Sequence, residues 1–338
     1  MPSKFADAFS SLTQAGGTPS PNSFLVTAID DGFENWFVGI DDEQRPSVLV
    51  RSGSPTGRRP PSIKLENLDV QFHMPCKIES PNIGMMDAKC SVMRLNSADT
   101  AVRDVFFSVC DSIALMLGNS PSDTELFKAM RRLAEIFRKM LLPPTRRLSG
   151  LFGELCLIYR ARLPHEVIRD WREDDADRYD FSSNELKVEV KSASTRQRVH
   201  EFSYEQCSPP AGSLGLVASL FVERAGRGTS IKALQELIEA RIAGRAGSIL
   251  KLREVIATTL GHELRGAETA LFDLTLAANS IKFFDLNEIP AIRSELPSGI
   301  SRVRFASDLS SARLIDVDAL SNSEPSVAGY SKDPSQNR

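Results

Sequence analysis

The sequence lacks an excess of positive charge. Its 338 residues include 41 Lys and Arg against 44 Asp and Glu, which gives a formal net charge of −3 at pH 7. This balance excludes a protein that holds nucleic acid through overall basicity, so any DNA-binding surface must be a local patch. The segment from Pro121 to Asp170 provides one candidate, because ten Lys and Arg residues there outnumber six acidic residues.

Cysteine and histidine are also scarce. The five cysteines are odd in number, and none are paired at the spacing of metal ligands (Cys76, Cys90, Cys110, Cys156 and Cys207). We therefore predict free buried thiols in a reducing cytosol, and hence a cytoplasmic protein. The four histidines are scattered along the chain, which argues against a zinc site.

Long apolar runs are missing as well. No stretch approaches the length of a membrane span, and the first 22 residues contain no apolar core of signal-peptide length. The glycine-containing turn Arg224–Gly228 has no Gly-Lys-Ser/Thr sequence beside it, so it does not predict a phosphate-binding nucleotide loop. We therefore expect a protein that does not enter a membrane and has no nucleotide loop of this type.

What is present is an ordinary globular composition, with enough chain for two domains. Hydrophobic residues make up 41% and charged residues 25% of the sequence. The composition of the two ends predicts a flexible lead-in over 1–22 and a disordered tail over 321–338. Between them, short candidate strands predict a β-rich module over 23–120 that ends in a helix, and a second domain follows over 121–320. The Gly-, Pro- and Arg-rich segment Arg51–Ile63 predicts an exposed loop.

The pattern most informative for chemistry begins at Asp180. Asp180 lies between Tyr179 and Phe181, four residues of turn chemistry follow, and the next stretch, Leu186–Lys191, alternates strictly between apolar and charged residues. A hairpin would bring Asp180 back beside Glu189. Two carboxylates and Lys191 would then form one patch, which suits a site that holds a divalent cation against a phosphate.

Taken alone, the Glu-Val-Lys pattern favours a solvated strand face with alternating charges. Four neighbouring features point toward a site instead. A helix containing Gly153-Glu154-Leu155 lies upstream, the pair Asp170-Trp171 precedes the first strand, and aromatic residues flank Asp180. A polar, basic run over Ser192–Gln206 directly follows Lys191.

In this order, the residues resemble the PD-(D/E)XK nuclease superfamily. The family's helix glutamate, aspartate and (D/E)-x-K positions correspond to Glu154, Asp180, Glu189 and Lys191, with Tyr179 where the family often has proline. The resemblance covers roughly Thr145–Leu237 and continues more loosely to Ala319.

That resemblance implies an α/β (α+β) fold. We expect a restriction-endonuclease-like core, with a mixed β-sheet flanked by helices, over residues 121–320, preceded by the β-rich N-terminal module. The branch that is most similar is bacterial and is associated with restriction-like defence loci. Its members occur beside ATPase or methyltransferase partners.

The implied activity is that of a Mg²⁺-dependent DNA endonuclease, with Mn²⁺ as a substitute for Mg²⁺. Asp180 and Glu189 are the expected metal ligands, the resemblance adds the carbonyl of Val190, and Glu154 would reach a second metal or a metal-bound water. Lys191 would place positive charge near the attacking water and the phosphate. It would either lower the pKa of that water or stabilise charge at phosphorus.

Basic and polar residues near the motif are candidates for contact with DNA. Arginine forks match phosphate groups or guanine edges, and glutamine matches adenine. The candidates are Arg146, Arg147, Arg196, Arg198, His200 and Gln206. A polar surface loop is the alternative for the segment that follows Lys191.

Two rival interpretations remain at this level. The first is a catalytically silent DNA-binding or scaffold subunit that keeps the nuclease fold within a multi-protein defence complex. The second is a metal-independent globular protein with a chance motif. For an active enzyme, a single site cuts one strand, so cleavage of both strands needs a homodimer or two sequential nicks, and dimers are the commonest assembly.

Overall fold

The protein is described here by a computed structural model. The described residues are 3–29, 32–51, 60–81, 84–173 and 177–334. The chain divides into two compact units, Met1–Pro143 and Pro144–Arg338. Most of the predicted loop over Arg51–Ile63 lies outside the described residues.

The first unit is rich in β-structure, as the sequence predicted. Its helices are α1 (Lys4–Ala15), α2 (Thr100–Leu117) and α3 (Asp123–Lys139). Its strands are β1 (Ser23–Ile29), β2 (Phe33–Asp41), β3 (Pro46–Arg51), β4 (Ile63–Lys64), β5 (Leu68–Ser80) and β6 (Gly84–Leu95). The described strands form one sheet in the order β1-β2-β3-β6-β5-β4, and β1 also pairs with β5, which closes the sheet on itself.

The boundary between the units falls after α3 and not at residue 121, where the sequence analysis placed it. The apolar stripe of α3 packs inside the first unit. The ring of Phe137 lies 6.0 Å from that of Phe106 on α2, and Phe127 lies 5.5 Å from Phe72 on β5. Helix α3 ends at Lys139, and the break between the units follows at Pro143-Pro144.

The expected flexible lead-in over 1–22 is wrong for much of its length, because α1 occupies residues 4–15. Ser3 caps this helix by accepting a hydrogen bond from the N–H of Ala6. Phe5 and Phe9 are buried, with ring centroids 6.1 Å from Trp36 and 4.8 Å from Phe107. The short apolar stripe of α1 is therefore stabilised by tertiary packing.

The second unit combines helices with a mixed sheet. Its helices are α4 (Leu148–Arg160), α5 (Pro164–Asp170), α6 (Ile231–Arg241), α7 (Ala246–Leu260), α8 (Gly266–Thr269), α9 (Leu274–Ser280) and α10 (Val317–Leu320). Its strands are β7 (Phe181–Ser182), β8 (Leu186–Ala193), β9 (Val199–Ser203), β10 (Leu214–Phe221), β11 (Arg224–Thr229), β12 (Lys282–Asp285), β13 (Arg304–Asp308) and β14 (Leu314–Ile315). The main sheet has the order β14-β12-β10-β8-β7, in which β8 and β10 are parallel and the other neighbours antiparallel.

This arrangement confirms the predicted α+β fold class. Helix α4 packs against β8, and α9 packs against β10, so helices cover the central strands. Strand β9 pairs with β13 as a separate two-stranded ribbon. The strand that carries the Glu-Val-Lys pattern, β8, lies inside the sheet between β7 and β10.

The closeness of α4 to β8 depends on Gly153. A Cβ atom at Gly153 would lie 2.1 Å from the Oγ of Ser192, which is far inside van der Waals contact. Without that atom the helix backbone can approach the strand. The next residue, Glu154, is thereby brought into the interior with 1% of its surface exposed.

The expected disordered tail over 321–338 is also wrong where the chain is described. A short 3-10 helix runs over Pro325–Tyr330, and it buries Val327 and Tyr330. The ring of Tyr330 meets that of Phe181 edge-on at 6.1 Å. These two side chains, together with backbone hydrogen bonds from the N–H groups of Arg162 and Leu163, hold the segment against the rest of the second unit.

Candidate active site

The predicted hairpin is formed by β7 and β8. These strands are antiparallel, with Phe181 opposite Val188. The N–H of Val190 donates a 2.8 Å hydrogen bond to the Oδ2 of Asp180. Asp180 therefore lies beside the segment Glu189–Lys191, as period-two alternation and the intervening turn predicted.

Burial excludes the simpler interpretation of this strand as a solvated face. Asp180 is 0% exposed and Glu189 is 2% exposed. Strand β8 is flanked along its edges by β7 and β10, and α4 packs against it. Carboxylates at such positions carry a large desolvation cost, so they need counter-charges or a cation.

Glu154 approaches the same region from α4. Its Oε2 accepts a 2.7 Å hydrogen bond from the indole N–H of Trp171 and lies 3.4 Å from the Nη2 of Arg172. Its Oε1 lies 3.3 Å from the Nη1 of Arg146. The glutamate thus points along the buried edge of the helix into a carboxylate cluster, which Glu154 forms with Asp180 and Glu189. This position is in keeping with the family resemblance.

Arg146 links Glu154 to Asp180. The Nη1 atom of Arg146 lies 2.7 Å from the Oδ1 of Asp180 as well as 3.3 Å from Glu154. Sequence analysis treated Arg146 as a DNA contact. The structure instead pairs this side chain with two buried carboxylates, and 28% of the side chain remains exposed.

Lys191 and Gln206 hold Glu189 from the other side. The Nζ of Lys191 lies 2.7 Å from the Oε1 of Glu189, and the side-chain amide of Gln206 donates to the same oxygen at 2.7 Å. The amide oxygen of Gln206 accepts from the backbone N–H of Ser203 at 3.0 Å. Gln206 was predicted to contact DNA, but here it orients a carboxylate of the cluster.

The electrostatic state of the cluster is unusual for carboxylates. Burial, together with the charge of Asp180, raises the pKa of both Glu154 and Glu189 to about 7. Arg172 and Arg146 act in the opposite direction on Glu154, and Lys191 does so on Glu189. Perturbed carboxyl groups that converge in this way are typical of functional sites.

The cluster offers oxygen atoms of the type that binds a divalent cation. Three buried carboxylate oxygens accept no hydrogen bond from the described part of the chain: Glu154 Oε1, Asp180 Oδ1 and Glu189 Oε2. Arg146 approaches two of them without the alignment of a hydrogen bond. Hard carboxylate oxygens are the ligands that Mg²⁺ prefers. Within the described residues, however, no three His, Cys, Asp or Glu side chains are grouped closely enough to hold a metal ion.

Two predicted DNA contacts are structural side chains. Arg198 donates to the carbonyls of Ser219 and Ser280, both at 2.6 Å, and its guanidinium lies 4.5 Å from the ring centroid of Phe221. His200 is 5% exposed, with Nε2 2.7 Å from the Oγ of Ser219. Burial lowers the pKa of His200 to about 4, so it is neutral at pH 7. Pairing of β9 with β13 turns these residues inward.

The other two predicted DNA contacts lie at the surface. Arg147 is exposed at the start of α4. Arg196 has 71% of its side chain exposed and forms a 2.9 Å ion pair with Glu223. These two arginines can meet a phosphate backbone without rearrangement of the interior. Their role in DNA binding stays a prediction, as does a ligand role for the carbonyl of Val190.

Sequence reasoning missed Arg172 and the contact that Trp171 makes. Arg172 is 5% exposed, its backbone N–H donates to the carbonyl of Asp180 at 2.9 Å, and its guanidinium donates to Thr259. The only signal in the sequence was the pair Asp170-Trp171, which precedes the first strand. Asp170 itself contacts Arg169 and Tyr330, outside the carboxylate cluster.

A mixed sheet with an aspartate hairpin, an interior Glu-x-Lys strand and a helix glutamate defines an α+β protein with a nuclease-like fold. The chain belongs to the family described as "Putative PD-(D/E)XK family member, (DUF4420)", which matches residues 5–310. That match covers both compact units, so the first unit is part of what defines the family. No curated protein and no solved structure matches the chain. In the described parts of the chain, no helix is long and apolar enough to cross a membrane.

Proposed function

We propose that the protein is a Mg²⁺-dependent DNA endonuclease that acts in bacterial restriction or phage defence. The observation that carries the activity is the set of buried carboxylate oxygens at Asp180, Glu189 and Glu154 that accept no hydrogen bond from the described residues, next to Lys191. The defence setting rests on family resemblance. A role in such a locus implies ATPase or methyltransferase partners and a cytoplasmic location.

The cation, when bound, would supply charge for the phosphate and lower the pKa of a water. Asp180 would offer Oδ1, because its Oδ2 is held by the N–H of Val190. Glu189 would offer Oε2, because Lys191 and Gln206 hold its Oε1. Both carboxylates are thus fixed before a ligand arrives, which lowers the entropic cost of assembling the site.

Lys191 is the residue best placed to act on the reacting group. Its side chain is 17% exposed, and its Nζ lies 2.7 Å from Glu189 and 4.8 Å from the ring centroid of Phe202. A positive charge held in this way would lower the pKa of an attacking water or stabilise negative charge at phosphorus. Gln206 acts as a positioning residue, because it touches Glu189 and lies 3.5 Å from Lys191.

The direct experiment is incubation of the purified protein with methylated and unmethylated plasmid, in Mg²⁺, in Mn²⁺ and in EDTA. We expect nicks or linear DNA with either metal and none in EDTA. Appearance of nicks before linear product would indicate sequential cuts by single sites, and direct linearisation would indicate a homodimer. Cleavage that persists in EDTA would overturn the proposal.

A matched variant separates catalysis from binding. Lys191→Ala should nick roughly 100-fold more slowly, because its charge is aimed at the reacting group. Its affinity for DNA in Ca²⁺ should change by less than about tenfold, because one lysine is a small part of a phosphate-binding surface. A loss of binding in proportion to the loss of rate would make Lys191 an ordinary phosphate contact.

A catalytically silent subunit is the second candidate. Two observations favour it. Arg146 forms ion pairs within the carboxylate cluster, and no three of the described His, Cys, Asp or Glu side chains lie close enough together to hold a metal ion. A silent subunit would bind DNA equally well in Mg²⁺ and in EDTA and would cut under neither condition. The plasmid experiment therefore distinguishes the two candidates.

A further inference from the structure

Asp180 has only one oxygen left to offer a metal. Its Oδ2 accepts the 2.8 Å hydrogen bond from the N–H of Val190, which β8 fixes in place. Its Oδ1 lies 2.7 Å from the Nη1 of Arg146 and accepts no hydrogen bond from the described residues. The atom that a cation would need is therefore the atom that the guanidinium already neutralises.

With all three carboxylates ionised, the formal charges of the described cluster are balanced. Three carboxylates, Glu154, Asp180 and Glu189, lie among three cations, Arg146, Arg172 and Lys191. Addition of a divalent cation would leave this buried region with a surplus of two positive charges. Uncompensated charge is costly in the interior, so entry of a metal favours departure of a resident cation.

Arg146 is the cation that can leave. Its side chain is 28% exposed, against 17% for Lys191 and 3% for Arg172. Arg172 is also tied to Thr259, and its backbone is tied to Asp180. Arg146 precedes α4 and projects from an irregular segment, so its side chain can swing without disturbance of the helix.

We propose that Arg146 is the resident counter-cation of this site, and that a divalent cation exchanges with its guanidinium at Asp180. In the metal-free protein Arg146 neutralises Asp180 and Glu154. When the metal takes Oδ1 of Asp180, the guanidinium moves toward the solvent side. This inference rests on the proposed function, because it requires that the carboxylates bind a metal.

The test is Mn²⁺ binding measured by titration calorimetry on full-length protein, without DNA. Arg146→Met should bind Mn²⁺ roughly tenfold more tightly than the unmodified chain, because a competing charge within 4 Å of the ligand oxygen is gone. Arg146→Lys keeps the charge and should stay close to the unmodified affinity. Arg147→Met is the matched control, since this adjacent arginine is exposed, and its Mn²⁺ affinity should not change.

Thermal unfolding gives a second readout. In EDTA, Arg146→Met should melt several degrees lower than the unmodified chain, because Asp180 and Glu154 lose their counter-charge. Addition of Mn²⁺ should raise the melting temperature of Arg146→Met by more than it raises that of the unmodified chain. Arg146→Gln is a second uncharged variant that can still donate to Asp180, in case Arg146→Met does not fold.

The outcomes separate this inference from the proposed function. Weaker or unchanged Mn²⁺ binding in both uncharged variants would overturn the exchange and make Arg146 a fixed scaffold of the site, with the nuclease proposal intact. No Mn²⁺ binding by the unmodified chain and by every variant would overturn the metal site itself, and the exchange with it.

Discussion

The second unit contains two buried ionic groups that behave in opposite ways. Glu239 and Arg253 form a complete pair, in which Nε and Nη2 of Arg253 donate to the two carboxylate oxygens at 2.8 and 2.7 Å. Gln235 adds a further 2.8 Å hydrogen bond. Burial opposes ionisation of Glu239, but these bonds and the charge of Arg253 outweigh it and lower its pKa.

The carboxylate cluster around Asp180 lacks this completeness. The pKa values of Glu154 and Glu189 are raised to about 7, and one oxygen of each of its three carboxylates accepts no hydrogen bond from the described residues. Burial is similar in the two groups, with Glu239 4% exposed and Glu189 2% exposed. The difference is therefore one of hydrogen-bond geometry, and under the proposed function it distinguishes a pair that supports the fold from a cluster that binds a metal.

The largest expected effect is on catalysis. Asp180→Asn and Glu189→Gln should each lower plasmid nicking by roughly 100-fold or more, because each removes a charged ligand oxygen from the proposed metal site. Both should remain folded, and in EDTA Glu189→Gln should melt at the same or a higher temperature, because burial and the charge of Asp180 already oppose ionisation of Glu189. An active Asp180→Asn protein would contradict the assignment of Asp180 as a metal ligand.

Glu239→Gln should show the reverse pattern. It leaves Arg253 buried without its counter-charge, which should cost about 3–5 kcal/mol in the free energy of unfolding. Chemical denaturation measures this loss, and nicking per folded molecule should stay unchanged. If Glu189→Gln destabilised the protein as much as Glu239→Gln does, the contrast between a structural pair and a ligand-ready cluster would fail.

The two groups should also give opposite dependences of stability on pH. Glu154 and Glu189 have folded-state pKa values raised to about 7, so their contribution to stability is present below pH 4–5 and is lost as the pH rises through 7. The loss should be about 1–3 kcal/mol per carboxyl group. The pKa of Glu239 is lowered, so its contribution is present above the unfolded pKa and is lost as the pH falls below it.

Denaturation in EDTA between pH 5 and 8 measures this slope. The unmodified chain should lose stability toward pH 8, and Glu189→Gln should flatten the curve, because one of the two titrating groups is gone. Glu239→Gln should shift the whole curve downward over this range without a change of slope. Equal slopes in the unmodified chain and in Glu189→Gln would contradict the raised pKa of Glu189.

The sequence predicted the local half of this site and missed the other half. The hairpin that brings Asp180 beside Glu189 follows from period-two alternation and from turn residues within a dozen positions, which are local signals. Burial of Glu154 came only through family resemblance. Arg146 and Arg172 reach the carboxylates through tertiary packing of α4 and of the segment before β7, which no local pattern encodes.

Long-range pairing also explains the errors elsewhere. Arg198 and His200 were expected at a DNA-binding surface, because both lie in the polar, basic run Ser192–Gln206. They turn inward since β9 pairs with β13, about a hundred positions later in the chain. In the same way, α1 is anchored by Trp36 and Phe107, and the segment Pro325–Tyr330 is anchored beside Phe181. Both ends of the chain were predicted to be flexible or disordered, because their apolar residues are few and the partners of those residues are distant in sequence.

The smallest expected effect concerns DNA binding, and it tests whether the surface beside the carboxylate cluster differs from the rest of the second unit. Arg147→Ala and Arg196→Ala should each lower the slope of log binding constant against log salt by about one unit, if each contacts a phosphate. Arg313 is a matched control, because its side chain is also 71% exposed and also pairs with a glutamate, Glu288. Arg313→Ala should leave the slope unchanged.

Arg198→Ala should lower stability and not the slope, because its guanidinium bonds to Ser219 and Ser280. If Arg147→Ala, Arg196→Ala and Arg313→Ala all left the slope unchanged while the protein bound DNA, the DNA would be held by another surface.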